Sequence, residues 1–380
     1  MFHRLTLSVA GSLAGAALLL GGGSARAAQD TSSASCDVKT SERVVAVADA
    51  HGAYDRLVAI LRAAGLVDDR QRWSGGRAIL VQTGDVTDRG ADSRRILDLL
   101  RRLEGEASRA GGRVHALLGN HEAMRMIGDL RYVSAEEYAA FRTDQSEELR
   151  ERYYRVVLDN AAAQAKTAAE PFSEESFRAR FLEQTPIGFI ELVLAFAADG
   201  EYGRWLRERD TMVRINGIVF IHGGVSPAVA PLGCAAINAT VRSELKSAPA
   251  IDPQQLASLL ASREDGPLWY RGLALENETT FLPEVETILQ TLNARMIVVG
   301  HTVAANGRVT PRFGGRVVQL DTGMLDGSFF PGGRASALEI RDGKLTAIYE
   351  DRREDLDRVR EPATAAPPAP VPPDSPAAGR

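Results

Sequence analysis

The sequence of 380 residues is poor in cysteine and has no excess of basic residues. Two cysteines exclude a disulfide-rich scaffold and any zinc or iron–sulfur site built from cysteine alone. A net charge of -5 at pH 7 gives no support for a nucleic-acid partner, because proteins that bind duplexes usually carry a basic face. With 44% hydrophobic and 25% charged residues, the composition is that of a soluble globular protein.

Residues 1–27 have the layout of a secretory signal peptide. His3 and Arg4 precede a short apolar stretch, and residues 25–27 form an A-x-A cleavage pattern. A membrane-spanning helix needs about 20 apolar residues, and this stretch is shorter. We therefore predict cleavage after Ala27 rather than an uncleaved anchor. The mature protein would be periplasmic or secreted, with no stable membrane span.

The segments that flank the predicted fold differ from it in composition. Residues 28–42 form a polar leader that contains Cys36, which could pair with Cys234 in an oxidising compartment. Two unpaired thiols are the alternative, because sequence does not show whether the cysteines are close enough to bond. Residues 361–380 hold 7 of the 17 prolines and are predicted to form a proline-rich disordered tail outside the fold.

Short strands alternate with helices through the middle of the chain. Runs rich in Val, Ile and Leu predict buried strands at 43–48, 78–83, 113–119, 217–223 and 295–300. Apolar spacing predicts helices over 53–64 and 92–104, and this alternation indicates an α/β core. Residues 335–350 predict a β-hairpin that turns at Asp342-Gly343. We therefore expect a mixed sheet or two packed sheets.

The segment 123–221 is rich in Ala, Glu and Arg and is predicted to be mostly helical. Ser134-x-x-Glu137 fits a capping box at the start of one helix. The segment lies between two polar motifs, so we interpret it as a helical insertion that covers the active face. The alternative is a buttress that packs away from the site.

Five polar motifs follow the predicted strands. They are Asp49-Ala50-His51-Gly52, Gly84-Asp85-Val86-Thr87-Asp88-Arg89-Gly90, Gly119-Asn120-His121-Glu122, His222-Gly223-Gly224 and Gly300-His301-Thr302. Ligands bind at the carboxyl ends of strands in open α/β sheets. The five motifs therefore predict a single site at that edge.

The residue types in these motifs suit divalent metals such as manganese, iron or zinc. On an extended strand end, Asp49 and His51 would face the same way and hold one ion. A second ion would be held by Asn120, His222 and His301. Asp85 is the natural bridge between the two ions. Two such metals promote in-line displacement at phosphorus and acidify a shared water, so that it attacks as hydroxide.

The remaining polar residues suit a phosphate ester. Arg89 can donate two hydrogen bonds to phosphoryl oxygens, and Arg271 is a candidate second cation. On an extended segment, His121 would point differently from Asn120 and could protonate the leaving oxygen as a general acid. Asp88 would orient the imidazole of His121. A structural ion pair between Asp88 and Arg89 is the alternative.

The order of the motifs resembles the calcineurin-like metallophosphoesterases. D-R-G and G-N-H-E resemble the phosphoprotein phosphatase branch, and the export signal with the W-Y-R-G run resembles the bacterial Shewanella-like protein phosphatases. The resemblance covers residues 43–350, the predicted catalytic domain. It implies an α/β fold: a β-sandwich of two mixed sheets flanked by helices, with a two-metal site at one edge.

The resemblance implies the same ligand sets as the residue types do. One metal would be held by Asp49, His51 and Asp85, and the other by Asp85, Asn120, His222 and His301. Arg89 and Arg271 would bind phosphate, and His121 with Asp88 would serve the leaving group. Thr302-Val303-Ala304 follows His301, so a G-H-x-H form is absent. The first metal is therefore expected to lack one protein ligand, with water in its place.

We predict an exported phosphatase that hydrolyses phosphate monoesters of phosphoproteins. Phosphotyrosine and phosphoserine or phosphothreonine are both open, with a preference for phosphotyrosine by resemblance. The alternative is a hydrolase of nucleotides, dinucleoside polyphosphates or phosphodiesters that uses the same site. A metal-binding scaffold without activity is the third hypothesis, and the presence of Asp88, Arg89 and His121 argues against it.

Overall fold

The structure is a computed structural model that describes residues 36–169, 171–248, 253–325 and 329–356. The predicted signal peptide, most of the leader and the predicted proline-rich tail lie outside these residues.

The described strands form two six-stranded mixed sheets. In spatial order, the first sheet contains β12 (Arg353–Asp355), β11 (Lys344–Tyr349), β10 (Ser336–Arg341), β2 (Val44–Val47), β3 (Ile79–Gln82) and β4 (Arg113–Ala116). The second contains β1 (Asp37–Val38), β5 (Met212–Ile215), β6 (Ile218–Ile221), β7 (Met296–Val299), β9 (Val317–Gln319) and β8 (Thr310–Arg312). Neighbours β2, β3 and β4 run parallel, as do β6, β7 and β9. The predicted α/β sandwich of two mixed sheets is confirmed.

The central strands are buried on both faces, which is why their sequences are nearly continuous apolar runs. Ala46 and Val81 in the first sheet share a core cluster with Phe220 and Val298 in the second. This cluster fills the interior of the sandwich. Alternate residues such as Val45 instead join a larger cluster that includes helix side chains. The period of two along each strand thus separates the sandwich interior from the helical layers.

The helices form the outer layers of the fold. Several of them lie in the long stretch of chain that connects β4 of the first sheet to β5 of the second. In chain order they are α1 (Tyr54–Ala63), α2 (Ser93–Arg109), α3 (Asn120–Ile127), α4 (Ala135–Ala139), α5 (Ser146–Ala168), α6 (Glu174–Gln184), α7 (Phe189–Phe196), α8 (Glu201–Leu206), α9 (Gly233–Ser247), α10 (Pro253–Leu256), α11 (Gly272–Leu275) and α12 (Glu278–Thr291). The first two match the helices predicted from apolar spacing. The predicted hairpin is also present, because β10 and β11 pair around Asp342-Gly343.

The segment predicted to be a helical insertion contains helices only as far as Leu206. Strand β5 follows, and it pairs with β6 across the turn Asn216-Gly217. Both turn residues have positive φ, 51° and 76°, as hairpin turns of this kind require. The Asn-Gly pair was the sequence signal for this hairpin. The sequence analysis predicted the strand at 217–223 but placed β5 within a segment described as mostly helical.

A disulfide lies at the edge of the fold. Cys36 and Cys234 are bonded with their Cα atoms 6.1 Å apart, so the pairing that the sequence left open joins the residue before β1 to α9.

Among the described residues, no single helix is long and apolar enough to cross a membrane. Within the same residues, α6 and the stretch Phe189–Leu206 pass that test of length and composition only when taken together, across a 58° bend between them.

Candidate active site

The predicted site residues lie where strands of both sheets end. Asp49, Asp85 and Asn120 follow β2, β3 and β4 in the first sheet. His222 and His301 follow β6 and β7 in the second. Parallel strands end at the same edge of a sheet, so the two sheets bring the five segments together.

The backbone at these strand ends is turned rather than extended. His51, Asp85, Asp88, Arg89 and His301 have φ values of 44°, 57°, 71°, 69° and 62°. This left-handed region is costly for residues with a Cβ atom, and such strain clusters at functional sites. Asp49 and His51 therefore do not sit on an extended strand end as predicted. A turn at His51 brings its Nε2 within 3.8 Å of Asp49 Oδ2.

Two glycines let the segments approach closely. A Cβ atom on Gly119 would overlap the Asp85 carboxylate, and one on Gly300 would lie 2.6 Å from Asp49 Oδ1. The His301 backbone N–H also donates to Asp49 Oδ1 at 3.0 Å. The glycines in the G-N-H-E and G-H motifs are thus required by contact between the loops.

His222 lies at the centre of one group of donor atoms. Its Nε2 is 2.9 Å from Asn120 Oδ1, 3.1 Å from His301 Nδ1 and 3.3 Å from Asp85 Oδ2. The other ring nitrogen, Nδ1, donates to the Thr83 carbonyl at 3.0 Å. A backbone carbonyl in this position fixes ring orientation, as it does for histidines that bind metals.

A second group of donor atoms shares Asp85 with the first. His51 Nε2 is 3.6 Å from Asp85 Oδ2, and His51 Nδ1 hydrogen-bonds the Thr87 carbonyl at 2.9 Å. Asp85 Oδ2 therefore lies near His51 on one side and His222 on the other. This is the arrangement that a bridging carboxylate needs. The Arg89 guanidinium contacts His51 Nε2 as well.

The group around Asp85 also contains a carboxylate that the sequence analysis missed, Asp321, which follows β9. Burial raises the pKa of Asp49 well above its usual range, and the charge of Asp321 adds to this. Burial likewise raises the pKa of Asp321 to about 6. Burial opposes ionisation of Asp85 too, but the imidazoles of His222, His121 and His51 hold the pKa of Asp85 well below its usual range.

These residues fit divalent cations. Asp85, His222 and His301 offer three donor atoms within 4.8 Å of one another, as do His51, Asp85 and His121. The Nε2 atom of His301 is buried without a hydrogen-bond partner among the described residues. Burial lowers the pKa of His222, but the charges of Asp85 and Asp49 outweigh it and raise the pKa to about 9. The pocket thus favours positive charge, and mixed carboxylate and imidazole donors suit manganese, iron or zinc.

His121 and Asp88 form a buried pair beside this pocket. His121 Nδ1 is 2.6 Å from Asp88 Oδ2, while His121 Nε2 is 3.8 Å from Asp85 Oδ2. Asn120 and His121 lie in the first turn of α3, not on an extended segment as predicted. They still diverge, because Asn120 Oδ1 contacts His222 and His121 contacts Asp88.

Glu122 organises the loops, and sequence reasoning assigned it no role. Its carboxylate accepts backbone N–H bonds from Gly119, Asp85, Val86 and Thr87 at 2.8–3.1 Å. It also accepts from the Thr87 hydroxyl at 2.9 Å. One buried carboxylate thereby caps α3 and holds the turn that carries Asp85.

The two predicted phosphate-binding arginines lie at the rim. The Arg89 guanidinium carbon is 5.7 Å from the ring centroid of Tyr132 and 5.4 Å from that of Phe330. Arg271 Nη1 donates to the His301 carbonyl and to the Thr302 hydroxyl, both at 3.0 Å. Every residue predicted for the site is therefore in this one region.

Comparisons with known proteins agree with this fold. The family model for calcineurin-like phosphoesterases matches residues 42–305. The chain is 32% identical to an uncharacterized protein of Schizosaccharomyces pombe, covering 81% of this chain and 80% of that protein. It is 29% identical to Shewanella-like protein phosphatase 2 of Arabidopsis thaliana, covering 79% of this chain and 75% of that protein.

A solved structure resembles the chain over most of its length. The crystal structure of a cold-active protein-tyrosine phosphatase from a psychrophilic Shewanella species superposes with a TM-score of 0.62 and 29% identity. The match covers 84% of this chain and 82% of that one. The predicted resemblance to Shewanella-like phosphatases is thus confirmed. The chain belongs to the calcineurin-like phosphoesterase family and is a phosphoric ester hydrolase.

Proposed function

We propose that this protein is an exported two-metal phosphatase that removes phosphate from phosphoproteins, with a preference for phosphotyrosine. The observation that carries the proposal is the position of Asp85 between two groups of donor atoms, next to the His121–Asp88 pair. A phosphatase needs cation sites for the phosphoryl group and an acid for the leaving oxygen, and this region offers residues for both.

The two groups of donor atoms around Asp85 support an assignment of residues to two cations. One ion would be held by Asp49, His51 and Asp85. The other would be held by Asp85, Asn120, His222 and His301. When bound, such a pair of ions neutralises phosphoryl charge and lowers the pKa of a bound water to near neutrality.

The chain's own residues would bind the ester and protonate its leaving group. Arg89 and Arg271 would orient the phosphoryl oxygens through N–H donors. A water that has released one proton to solvent would attack phosphorus through its oxygen. As the ester P–O bond breaks, His121 would give its Nε2 proton to the departing oxygen. Asp88 would keep the ring in the required orientation through its bond to Nδ1.

The preference for phosphotyrosine is supported by the aromatic rings around Arg89. Tyr132 is 43% exposed, and its ring lies 5.0 Å from that of His121. The Phe330 ring lies 6.1 Å from that of His51. A phenyl leaving group has faces that can stack on such rings, whereas the short chain of phosphoserine does not.

Rates on matched phosphotyrosyl and phosphoseryl peptides test the substrate. We expect a higher kcat/KM for the phosphotyrosyl peptide. Tyr132→Ala and Phe330→Ala should lower the ratio of kcat/KM for the phosphotyrosyl peptide to kcat/KM for the phosphoseryl peptide. Phe329→Ala, at a neighbouring residue that is 53% exposed, should not. A clear preference for phosphoserine contradicts the phosphotyrosine assignment. Hydrolysis of a dinucleoside tetraphosphate without hydrolysis of either peptide contradicts the phosphoprotein assignment.

Export is supported by the signal-like pattern of residues 1–27 and by the Cys36–Cys234 disulfide, a bond that persists in oxidising compartments. Fractionation of native cells, with N-terminal sequencing of the purified protein, tests it. We expect the protein outside the cytoplasm with Ala28 as its first residue. A cytoplasmic protein that retains residues 1–27 contradicts the proposal.

A further inference from the structure

A buried arginine lies behind the His121–Asp88 pair. Arg125 Nε and Nη2 donate to Asp88 Oδ1 at 2.9 and 2.6 Å, while Asp88 Oδ2 contacts His121 Nδ1. Both carboxylate oxygens of Asp88 are therefore engaged. A carboxylate held at both oxygens cannot rotate away from the imidazole that it orients.

The same guanidinium also contacts a carboxylate from the helical segment. Arg125 Nη2 is 2.6 Å from Glu137 Oε1, and the two side chains are each 0% exposed. Glu137 belongs to α4, where the sequence suggested that it completes a capping box with Ser134. The Ser134 hydroxyl does accept the Glu137 backbone N–H, but the Glu137 side chain points to Arg125 instead.

Arg125 is shielded from solvent. Its guanidinium carbon is 5.0 Å from the ring centroid of Phe196 in α7, and Phe196 is 2% exposed. Away from water, each charge in this set interacts strongly with its neighbours, and a group left without a partner is costly. The positions of Arg125 and Asp88 are therefore fixed by electrostatic contacts as well as by packing.

We propose that Arg125 and Glu137 are positioning residues that hold Asp88, and through it His121, in the orientation for protonating the leaving group. The inference rests on the proposed function, because it assumes that His121 is the general acid. It makes the helical segment part of the catalytic apparatus, since α4 supplies the outer charge of the set. Neither residue touches the substrate, so neither is a catalytic residue.

The test uses substrates that differ in their need for an acid. A phosphoseryl peptide has a poor leaving group and needs protonation, whereas p-nitrophenyl phosphate has a good one and needs little. The variant R125M/E137M removes one charge of each sign, so neither Arg125 nor Glu137 is left as a lone buried charge, and Asp88 keeps only its contact with His121. We expect kcat to fall by about 30-fold on the peptide and by less than about threefold on p-nitrophenyl phosphate.

A second background separates positioning from a general structural effect. In His121→Asn, the added R125M/E137M changes should lower kcat on the peptide by no more than about twofold, because residues that act as a unit are not additive. D129M/R131M is the matched control, since it removes a more exposed ion pair from the same segment. That control should leave kcat on both substrates unchanged.

The inference is overturned by any of the following outcomes. Equal losses on both substrates, or a loss that persists in full in His121→Asn, indicate a structural role only. If R125M/E137M does not fold, Glu137→Gln replaces it. A ratio of kcat on the peptide to kcat on p-nitrophenyl phosphate that is unchanged from the wild type then contradicts the inference. If His121→Asn itself affects both substrates equally, the proposed acid role of His121 fails. A substrate-dependent loss in His121→Asn but not in R125M/E137M overturns the positioning role alone.

Discussion

Two halves of the site are equally buried but differ in how their charges are balanced. In the leaving-group half (His121, Asp88, Arg125 and Glu137), each carboxylate contacts Arg125 at 2.6 Å. In the metal half (Asp49, Asp85, Asp321, His222 and His301), three carboxylates lie among imidazoles. No Arg or Lys makes a salt bridge to any of these three within the part of the chain that the structure describes.

The pKa shifts of Asp88, Asp49 and Asp321 follow this contrast. Burial alone would raise the pKa of Asp88, but the hydrogen bond from His121 and the charge of Arg125 hold it below its usual value. In the metal half, burial raises the pKa of both Asp49 and Asp321. Burial alone therefore does not set the sign of the shift. Burial also raises the pKa of Glu137 despite the charge of Arg125, and imidazoles lower the pKa of Asp85.

The difference indicates which half the protein completes by itself. The leaving-group half has its own counter-charge, so its geometry is set on folding. The metal half concentrates negative charge that divalent cations would balance. Substitutions that remove charge from the leaving-group half should therefore lower stability or activity both with and without metal. Substitutions that remove charge from the metal half should do so only when metal is present.

The largest effect is expected for Asp85→Asn, because the amide would replace the carboxylate between the two donor groups. We expect the loss of both metals and a fall in kcat of about 1000-fold or more, equivalent to several kcal/mol of transition-state stabilisation. Elemental analysis and steady-state kinetics measure the two effects. Asp92→Asn, a half-buried change outside the two donor groups, is the control. Retention of both ions by Asp85→Asn contradicts the bridging assignment.

Asp88→Asn should instead destabilise the protein with and without metal. It leaves the buried Arg125 charge paired only by Glu137, so we expect a loss of about 3 kcal/mol at pH 7. Because the folded pKa of Asp88 is lowered, its contribution is present above 3.8 and disappears as pH falls below that value. Urea unfolding between pH 3 and 7, with and without EDTA, measures this. If the difference in the free energy of unfolding between Asp88→Asn and the wild type vanishes in EDTA, the stability of the leaving-group half depends on metal, and the proposed separation of the two halves is contradicted.

Glu122→Gln tests the support that the two halves share. The amide has one oxygen in place of two, so part of the backbone N–H groups that Glu122 satisfies would lose their acceptor. We expect a loss of about 2 kcal/mol in both the metal-loaded and the EDTA-treated protein. Urea unfolding with Glu136→Gln as the exposed control measures it. An effect no larger than that of the control contradicts the supporting role.

The fold and most of the site followed from local sequence signals. The strands carrying Asp49, Asp85 and His222 were apparent because each is a short apolar run ending in a polar motif. The local conformations were less accessible, because the left-handed turn at His51 and the helical position of His121 depend on contacts between loops. Glu137 was assigned to a capping box, since the sequence does not show that Arg125 lies beside it in the fold.

Asp321 was missed for a different reason. It follows β9, a three-residue strand, and a lone Asp-Thr-Gly in the sequence is as typical of a turn as of a site. Only the fold places β9 next to β7 and so brings Asp321 near Asp49. Its position is relevant to the first metal, for which the motifs predicted one protein ligand too few.

Asp321→Asn gives an effect no larger than that of Glu122→Gln but the sharpest comparison, because its sign should depend on metal. The folded pKa of Asp321, about 6, exceeds the ordinary 3.8, so in EDTA its contribution to stability falls as pH rises between those values. At pH 7 the variant should then be more stable than the wild type, by about 2 kcal/mol. With metal, it should bind the ion about tenfold more weakly, since neighbouring acidic groups support metal ligands.

Thermal unfolding at pH 4 and 7, with EDTA or with saturating Mn²⁺, and a competition titration for affinity measure these effects. At pH 4 in EDTA the two proteins should differ little, because Asp321 is then protonated in the folded state. Asp351→Asn is the control, since that carboxylate is exposed and paired with Arg352. If Asp321→Asn is less stable than the wild type in EDTA at pH 7, the metal half does not concentrate uncompensated charge. The contrast between the halves would then reduce to a difference in packing alone.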